Sequence, residues 1–398
     1  MDSNQGIPLS LPLEGIRVVE MTEALAGPYC CMMLGDLGAD VIKVERKKIG
    51  DQTRTWGPPF VEGESAYFLS VNRNKRSFAL DIKDEADLKV LHQLIETADV
   101  FVTNNPRMAS LKRANLDPTT LRNLNSRLIY VAISGYGHSG PKANRGGYDV
   151  IAQGEAGLMA LTGEADEGPK RFPTPIADIT AGIYSVMGVL TALYARDKSN
   201  DGTGRGQFID VSLLDAQITW LANLGASYLI AGKRPEKIGN LHPTITPYQP
   251  LKTSDRPIMV AVGTEPLWRR FCKVLDIETS IMEDQRFATN PLRNSNRSQL
   301  IPLLEDILKT QCADYWIDAF VEEQIPAGPI NLPEHILNDP HPLARGMVVE
   351  LEHPLVGLVR TIGNPINLSE TPPTYRRYPP LLGEHNEELI AELLNLPG

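Results

Sequence analysis

Gly15-Ile16-Arg17-Val18-Val19-Glu20-Met21 is a β-rich run, and Gly27-Pro28 then opens a helical stretch that reaches residue 37. Asp40-Val41-Ile42-Lys43-Val44-Glu45 follows as a second strand. Two strands joined through a helix form a βαβ unit, in which the strands lie parallel. The pattern continues outward. Phe78-Ala79-Leu80-Asp81-Ile82 reads as a strand, and residues 84–97 place Leu88, Val90, Leu91, Leu94 and Ile95 at helical spacing. Asp99-Val100-Phe101-Val102 and Leu128-Ile129-Tyr130-Val131-Ala132-Ile133 add two more strands. Strands alternating with helices predict an α/β domain with a largely parallel sheet.

Further along, residues 179–196 predict a long apolar helix and residues 211–231 a second, with the loop Gly202-Thr203-Gly204-Arg205-Gly206 between them. After Lys233 the texture changes. Pro- and Gly-rich turns lead into Ile258-Met259-Val260-Ala261-Val262, then helices near 265–275, 300–308 and 314–323. This predicts a separate small α+β domain over 231–330. The expected layout is therefore a large domain over 1–200, a linker helix region over 201–230, the small domain, and a return segment over 331–398. Residues 345–398 of that segment would complete the large domain.

The bulk composition narrows the function. The 398 residues exceed one ordinary core. A net charge of −10 disfavours a nucleic-acid partner, because phosphate repulsion has no global offset. Cys30, Cys31, Cys272 and Cys312 show no metal or CxxC spacing, and the seven histidines are scattered, so no zinc site is expected. No apolar run of about 18 residues is apparent, and no membrane span is expected. Met1 to Gly6 has neither a signal-peptide nor a transit-peptide pattern, and the expectation is a cytoplasmic protein with reduced thiols. A mitochondrial matrix location is the alternative, without a clear presequence.

Several features carry two readings. Gly135-Tyr136-Gly137-His138-Ser139-Gly140 follows a strand, but Pro141 interrupts it and no acidic residue completes a dinucleotide fingerprint; a tight turn is the simpler reading. The basic cluster Asn72-Arg73-Asn74-Lys75-Arg76, with Lys43, Arg46, Lys47 and Lys48, is either solvated surface charge or an anion site at strand ends. Asp178 stands just before the apolar helix at 179. It is either an N-cap or a carboxylate that the helix dipole keeps ionised at neutral pH.

Six landmarks in order then resemble class III CoA transferases, the formyl-CoA transferase and carnitine-CoA transferase kind. They are Pro12-Leu13-Glu14-Gly15-Ile16-Arg17 through Ala26-Gly27-Pro28, and Leu34-Gly35-Asp36-Leu37-Gly38-Ala39-Asp40 through Arg46. Asn72-Arg73-Asn74-Lys75-Arg76-Ser77, Gly147-Tyr148-Asp149, Thr203-Gly204-Arg205-Gly206-Gln207 and Pro380-Leu381-Leu382-Gly383-Glu384-His385 complete the set. The resemblance implies a Rossmann-like large domain plus the small α+β domain, in a homodimer interlocked like linked rings. It implies Asp178 as the catalytic nucleophile, working through an aspartyl-acyl anhydride and an aspartyl-CoA thioester. Coenzyme A, as acyl-CoA, would be substrate rather than permanent cofactor, and no metal is implied. Backbone N–H groups near the start of the Asp178 helix would stabilise oxyanions.

The resemblance further implies CoA contacts at Ala24, Leu25, Arg46, Leu80, Lys83, Asn104 and Tyr148, with Arg107 supplying a guanidinium that the family places one residue earlier. Tyr148 stands where the related α-methylacyl-CoA racemases carry a histidine, and tyrosine titrates too high for reversible α-proton exchange. The four-glycine lid loop of formyl-CoA transferases is absent; the stretch around His242 is expected to serve as lid. Trp56-Gly57-Pro58-Pro59-Phe60 after Thr53 and Arg54 resembles members that move CoA from succinyl-CoA to small dicarboxylates such as glutarate, itaconate, mesaconate or malate. Arg54, Arg73 and Arg171 are candidates for the acceptor's distal carboxylate. Formyl-CoA:oxalate transfer, racemisation and non-catalytic CoA binding are the alternatives.

Overall fold

The computed structural model describes residues 10–143, 145–198 and 201–395. The chain divides into two compact units. The first comprises residues 1–159, 171–226 and 340–398; the second comprises 160–170 and 227–339.

The first unit is built on six parallel strands: β1 (Arg17–Met21), β2 (Asp40–Arg46), β3 (Lys75–Leu80), β4 (Val100–Thr103), β5 (Ile129–Ser134) and β6 (Phe208–Ser212). Their spatial order is β3-β2-β1-β4-β5-β6, a doubly wound sheet whose strand order reverses between β1 and β4. All six residues of β5 and all four of β4 are buried, as a sheet covered on both faces requires. On one face, α1 (Ala26–Asp36) packs against α4 (Ile176–Asp197) through Cys30, Leu34, Ala181 and Val189. On the other, α2 (Glu85–Glu96) presents Leu91, Leu94 and Ile95 to Ile42, Phe78 and Phe101.

Two expectations for the sheet region change. The predicted helix over 211–231 begins instead as β6, because Phe208-Ile209-Asp210-Val211-Ser212 pairs with Tyr130 through Ser134. Ser212 then caps the helix Leu213–Ile218 by accepting the Asp215 N–H at 2.9 Å, and a second helix runs over Ala222–Ala231, so the predicted helix starts two residues later and is preceded by a strand. Helix α4 also begins three residues early, at Ile176, which puts Asp178 inside its first turn. Contrary to the expected lack of any span-length apolar run, the 22 residues of α4 would suffice by length and composition to cross a membrane. A little over half of its 18-residue apolar window (56%) is buried against α1 and the sheet, as for a core helix.

Within the basic cluster, residues 72–76 are neither solvated nor an anion site, whereas Arg46, Lys47 and Lys48 are exposed. Asn72, Arg73, Asn74, Lys75 and Arg76 are all buried and each is engaged from within the fold. Arg73 forms a two-pronged pair with Asp36 (2.9 and 2.7 Å) and donates to Thr361 and the Ile362 carbonyl. Lys75 meets Glu20 at 2.8 Å, and Arg76 meets Asp40, Glu388 and Glu392. The C-terminal segment covers the edge strand β3: His385 Nδ1 accepts the Ser77 N–H and Asn386 Oδ1 the Ala79 N–H. An unpaired strand edge is thereby closed by side chains from more than 300 residues away.

Two sequence landmarks are explained by close backbone approach. A Cβ on Gly206 would sit 1.9 Å from the Leu128 carbonyl oxygen, so the loop after α4 passes β5 only as glycine. Gly135 and Gly147 abut in the same way, each Cβ falling 2.6 Å from the other's Cα. Gly135 to Gly140 is a turn: Gly137 N–H donates to Ser134 Oγ, and His138 N–H to Asp210.

The second unit carries a three-stranded antiparallel sheet, Tyr248–Lys252, Pro257–Ala261 and Ala327–Pro329. Trp268, Phe271, Trp316 and Phe320 form its aromatic core with Leu300 and Leu304.

Candidate active site

A cavity of about 1150 Å³ opens in the first unit beside the carboxyl ends of β1, β2 and β4. This is the crevice at the reversal of strand order, where doubly wound sheets bind ligands. Met21 to Ala26 form one wall, Val44 to Lys47 and Leu80 to Lys83 another, and Asn104 to Pro106 a third. Gly147 to Val150, Arg171 and Asp178 line the rest.

Asp178 occupies the first turn of α4 without capping it. Among the described residues its carboxylate has no hydrogen-bond or ion-pair partner. Burial pushes its pKa up to about 7, and the negative charge of Asp149 adds to the rise. Desolvation thus opposes the helix dipole that was expected to keep Asp178 ionised, a dipole effect typically below ~1 kcal/mol, and the acid lies near half-ionisation at neutral pH. The cap is supplied by Asp149, whose Oδ1 accepts the Ala177 N–H at 2.7 Å. Gln153, fully buried, donates to Asp149 Oδ2 at 2.6 Å and accepts the Phe172 N–H at 2.9 Å. It thus ties the segment that carries Arg171 to the same helix start. The N–H groups of Ile176, Ala177 and Ile179 are all taken, by the Thr174 carbonyl, Asp149 and the Pro175 carbonyl. The expected oxyanion donors at the start of α4 are therefore largely occupied.

Tyr67 also lines the cavity, and reading of the sequence missed it. Burial pushes its phenol up to about 12, followed by the charges of Asp178, Asp149 and Asp51. It is a protonated hydroxyl at neutral pH, with its ring set edge-on to Trp56 at 5.2 Å. A lone Tyr inside Ala66-Tyr67-Phe68-Leu69 carried no spacing signal; only the fold brings it near Asp178.

The remaining candidates divide. Ala24, Leu25, Arg46, Leu80, Lys83, Asn104, Tyr148 and Arg171 all line the cavity. Arg46 is paired there with Glu23 at 2.8 Å and is half exposed. Asn104 clamps the Glu23 backbone, donating to its carbonyl at 2.7 Å and accepting its N–H at 3.2 Å. Arg107, Arg54 and Arg73 do not line it. Arg107 is exposed at the start of α3 (Met108–Arg113). Arg54 forks onto Glu45 with both contacts at 2.7 Å, donates to the Pro380 carbonyl and stacks over Phe68. Arg73 is held by Asp36, as described above. The latter two guanidiniums hold the fold together, since an internal carboxylate already fills each fork. His242 belongs to the second unit, where its ring lies 4.9 Å from that of Tyr248 and its Nδ1 accepts the Thr244 N–H. Among the described residues no group of three His, Cys, Asp or Glu side chains converges as a metal site.

A doubly wound sheet with a deep cleft at its switch point and one isolated acid on a helix start fits an enzyme that handles a long nucleotide-bearing ester. The profile of CoA-transferase family III matches residues 13–386, and the chain belongs to that family as a CoA-transferring enzyme. It is 43% identical over 389 residues to the succinate–glutarate CoA-transferase of Agrobacterium fabrum, covering 96% of each chain. It is 39% identical over 383 residues to the human succinyl-CoA:glutarate CoA-transferase, covering 96% of this chain and 86% of that one. The crystal structure of a CAIB/BAIF family protein from Brucella suis superposes with a TM-score of 0.86 at 40% identity, covering 97% of this chain and all of that one.

Proposed function

We propose that this enzyme moves CoA from succinyl-CoA to a small dicarboxylate of the glutarate class, with Asp178 as the covalent carrier. The observation that carries the substrate reading is the 43% identity, spanning 96% of both chains, to a succinate–glutarate CoA-transferase. Asp178 attacks the thioester carbonyl, forming an aspartyl-succinyl anhydride and releasing the CoA thiolate. The thiolate attacks the aspartyl carbonyl, giving an aspartyl-CoA thioester and free succinate. The acceptor carboxylate attacks that thioester, giving a new anhydride and thiolate. Attack of the thiolate on the acceptor's acyl carbon then releases the product CoA ester and restores Asp178. Covalent catalysis of this kind divides one difficult exchange into four displacements.

The isolated, half-buried carboxylate supports this role, since a nucleophile engaged by no cation is not stabilised in its resting state. Tyr67, protonated and close to Asp178, is suited to donate to an oxyanion at the reacting carbonyl. Arg46 and Lys83 line the far walls as cations for the phosphates of CoA. Arg171, exposed on the cavity wall and free of an internal acid partner among the described residues, is assigned to the acceptor's distal carboxylate. The stretch around His242 is assigned to excluding water, which would otherwise hydrolyse the anhydride.

A homodimer is part of this reading. The outer face of α4 exposes Ile183, Tyr184, Met187, Leu190 and Tyr194, an apolar stripe suited to a second protomer.

The test is incubation of the purified enzyme with succinyl-CoA and separate glutarate, itaconate, mesaconate, malate, oxalate and acetate, read by liquid chromatography with mass spectrometry. Formation of glutaryl-CoA or another dicarboxyl-CoA is expected. Transfer only to oxalate or acetate, or no transfer to any acid, would overturn the substrate assignment.

A further inference from the structure

Ala24 lies in the left-handed region, at φ +67°, on the cavity wall between β1 and α1. A residue with a Cβ holds that conformation only where its surroundings impose it. Two side chains do so. Asn104 brackets the backbone of Glu23, and Asp51 Oδ1 accepts the Ala24 N–H at 3.3 Å. Asp51 is itself fixed. The same Oδ1 accepts the N–H and hydroxyl of Thr53, both at 2.8 Å, and its backbone N–H donates to Glu45. Its Oδ2 meets Lys43 at 2.9 Å, and Lys43 in turn meets Glu20 at 2.9 Å, with both lysine and glutamate fully buried. Glu20 is held from its other side by Lys75 at 2.8 Å. A chain of alternating charges, Asp51, Lys43, Glu20 and Lys75, thus runs beneath the sheet's carboxyl edge and ends on the peptide of Ala24.

We infer that Asp51 is a positioning residue for CoA transfer: anchored by Lys43, it holds Ala24 in its left-handed turn and so sets the cavity wall opposing the reacting acyl group. The inference rests on the assignment of this cavity to the acyl-CoA. Leu25 and Ala26 follow Ala24 on the same wall, and the first N–H groups of a helix have no partner within it. A shift of the turn moves those groups relative to Asp178, and misplacement by about 1 Å can cost on the order of 100-fold in rate.

The experiment is a double-mutant cycle of Asp51→Asn and Ala24→Gly, measured as kcat and as KM for succinyl-CoA. Asp51→Asn is expected to lower kcat by roughly 100-fold, with KM changed by less than about threefold. Glycine takes a positive φ without strain. In the Ala24→Gly background, therefore, the loss of kcat caused by Asp51→Asn should shrink by about tenfold or more, with no matching recovery of melting temperature. Should Asp51→Asn not fold, Thr53→Ala takes its place. It leaves the Lys43 pair intact while loosening Asp51, and a severalfold loss of kcat, smaller in the Ala24→Gly background, is expected. Equal losses in both backgrounds, or a recovery of kcat that only tracks melting temperature, would overturn the proposal. If the unsubstituted enzyme transfers no CoA, the functional assignment fails instead, and Asp178→Ala run in parallel marks that case.

Discussion

The Oδ1 of Asp149 accepts the backbone N–H of Ala177, one residue before Asp178, at 2.7 Å. Asp149 therefore caps helix α4 and also places a negative charge beside the acid that burial has already pushed up to about 7. Asp149→Asn keeps a side-chain acceptor for the cap and removes the charge. The acidic limb of kcat/KM, which reports groups of the free enzyme, is expected to move to lower pH in this variant. A pH–rate series on both proteins checks it; an unmoved limb would mean that Asp149 acts through the cap alone.

Asp178 should cost the enzyme stability at working pH. Its folded pKa lies above its unfolded value of 3.8, so the fold favours the neutral acid. The associated stability is fully present below pH 3.8 and is lost as pH rises through about 7. Asp178→Asn should therefore be more stable than the parent at pH 8, by on the order of 2–4 kcal/mol, and equal to it near pH 4. Urea denaturation at the two pH values checks this, and a pH-independent difference would contradict it.

Loss of the Tyr67 hydroxyl is expected to act on rate rather than binding. Tyr67→Phe keeps the ring against Trp56 and removes a neutral hydroxyl donor on the cavity wall shared with Asp178. The fall in kcat should be about 100- to 1000-fold, on the scale of a single oxyanion donor, with KM nearly constant. Steady-state kinetics at saturating acceptor is the measurement.

Arg73 separates structural from substrate-binding arginine. Removing one partner of its buried pair with Asp36 leaves an uncompensated buried charge, so Arg73→Ala should cost about 3–5 kcal/mol. The fraction that remains folded should keep its KM for the acceptor acid. Arg171→Ala should show the reverse, a raised acceptor KM with unchanged melting temperature.

Glu23 pairs with Arg46 on the cavity wall, at 2.8 Å. Glu23→Gln should free the guanidinium for phosphate and lower the dissociation constant for CoA severalfold at low ionic strength. Calorimetric titration at two salt concentrations checks this, since the gain should fade as salt screens the site.

The alternation of strands and helices was legible locally because each buried element had to write its own period into the chain. Val18-Val19, Ile42 and Phe101 could hardly be anything but covered strand. Asp178 was legible by its place before an apolar helix and by resemblance, but its charge state was not. That depends on how much water the folded cavity removes and on Asp149, which lies 29 positions away in sequence. The basic run at 72–76 misled for the same reason. A lysine or arginine carries no local mark of whether an acid waits for it, and here Asp36, Asp40, Glu20, Glu388 and Glu392 are brought to it only by folding.

By itself, then, the sequence determined five of the sheet's six strands, the family and the proposed place of the nucleophile, since these follow from hydrophobic period and contiguous motifs. Only the tertiary structure decided which charges face the cavity and which hold the core. Partners in an ion pair are chosen by distance in space, and the strand order that brings β1 beside both β2 and β4 is what sets those distances.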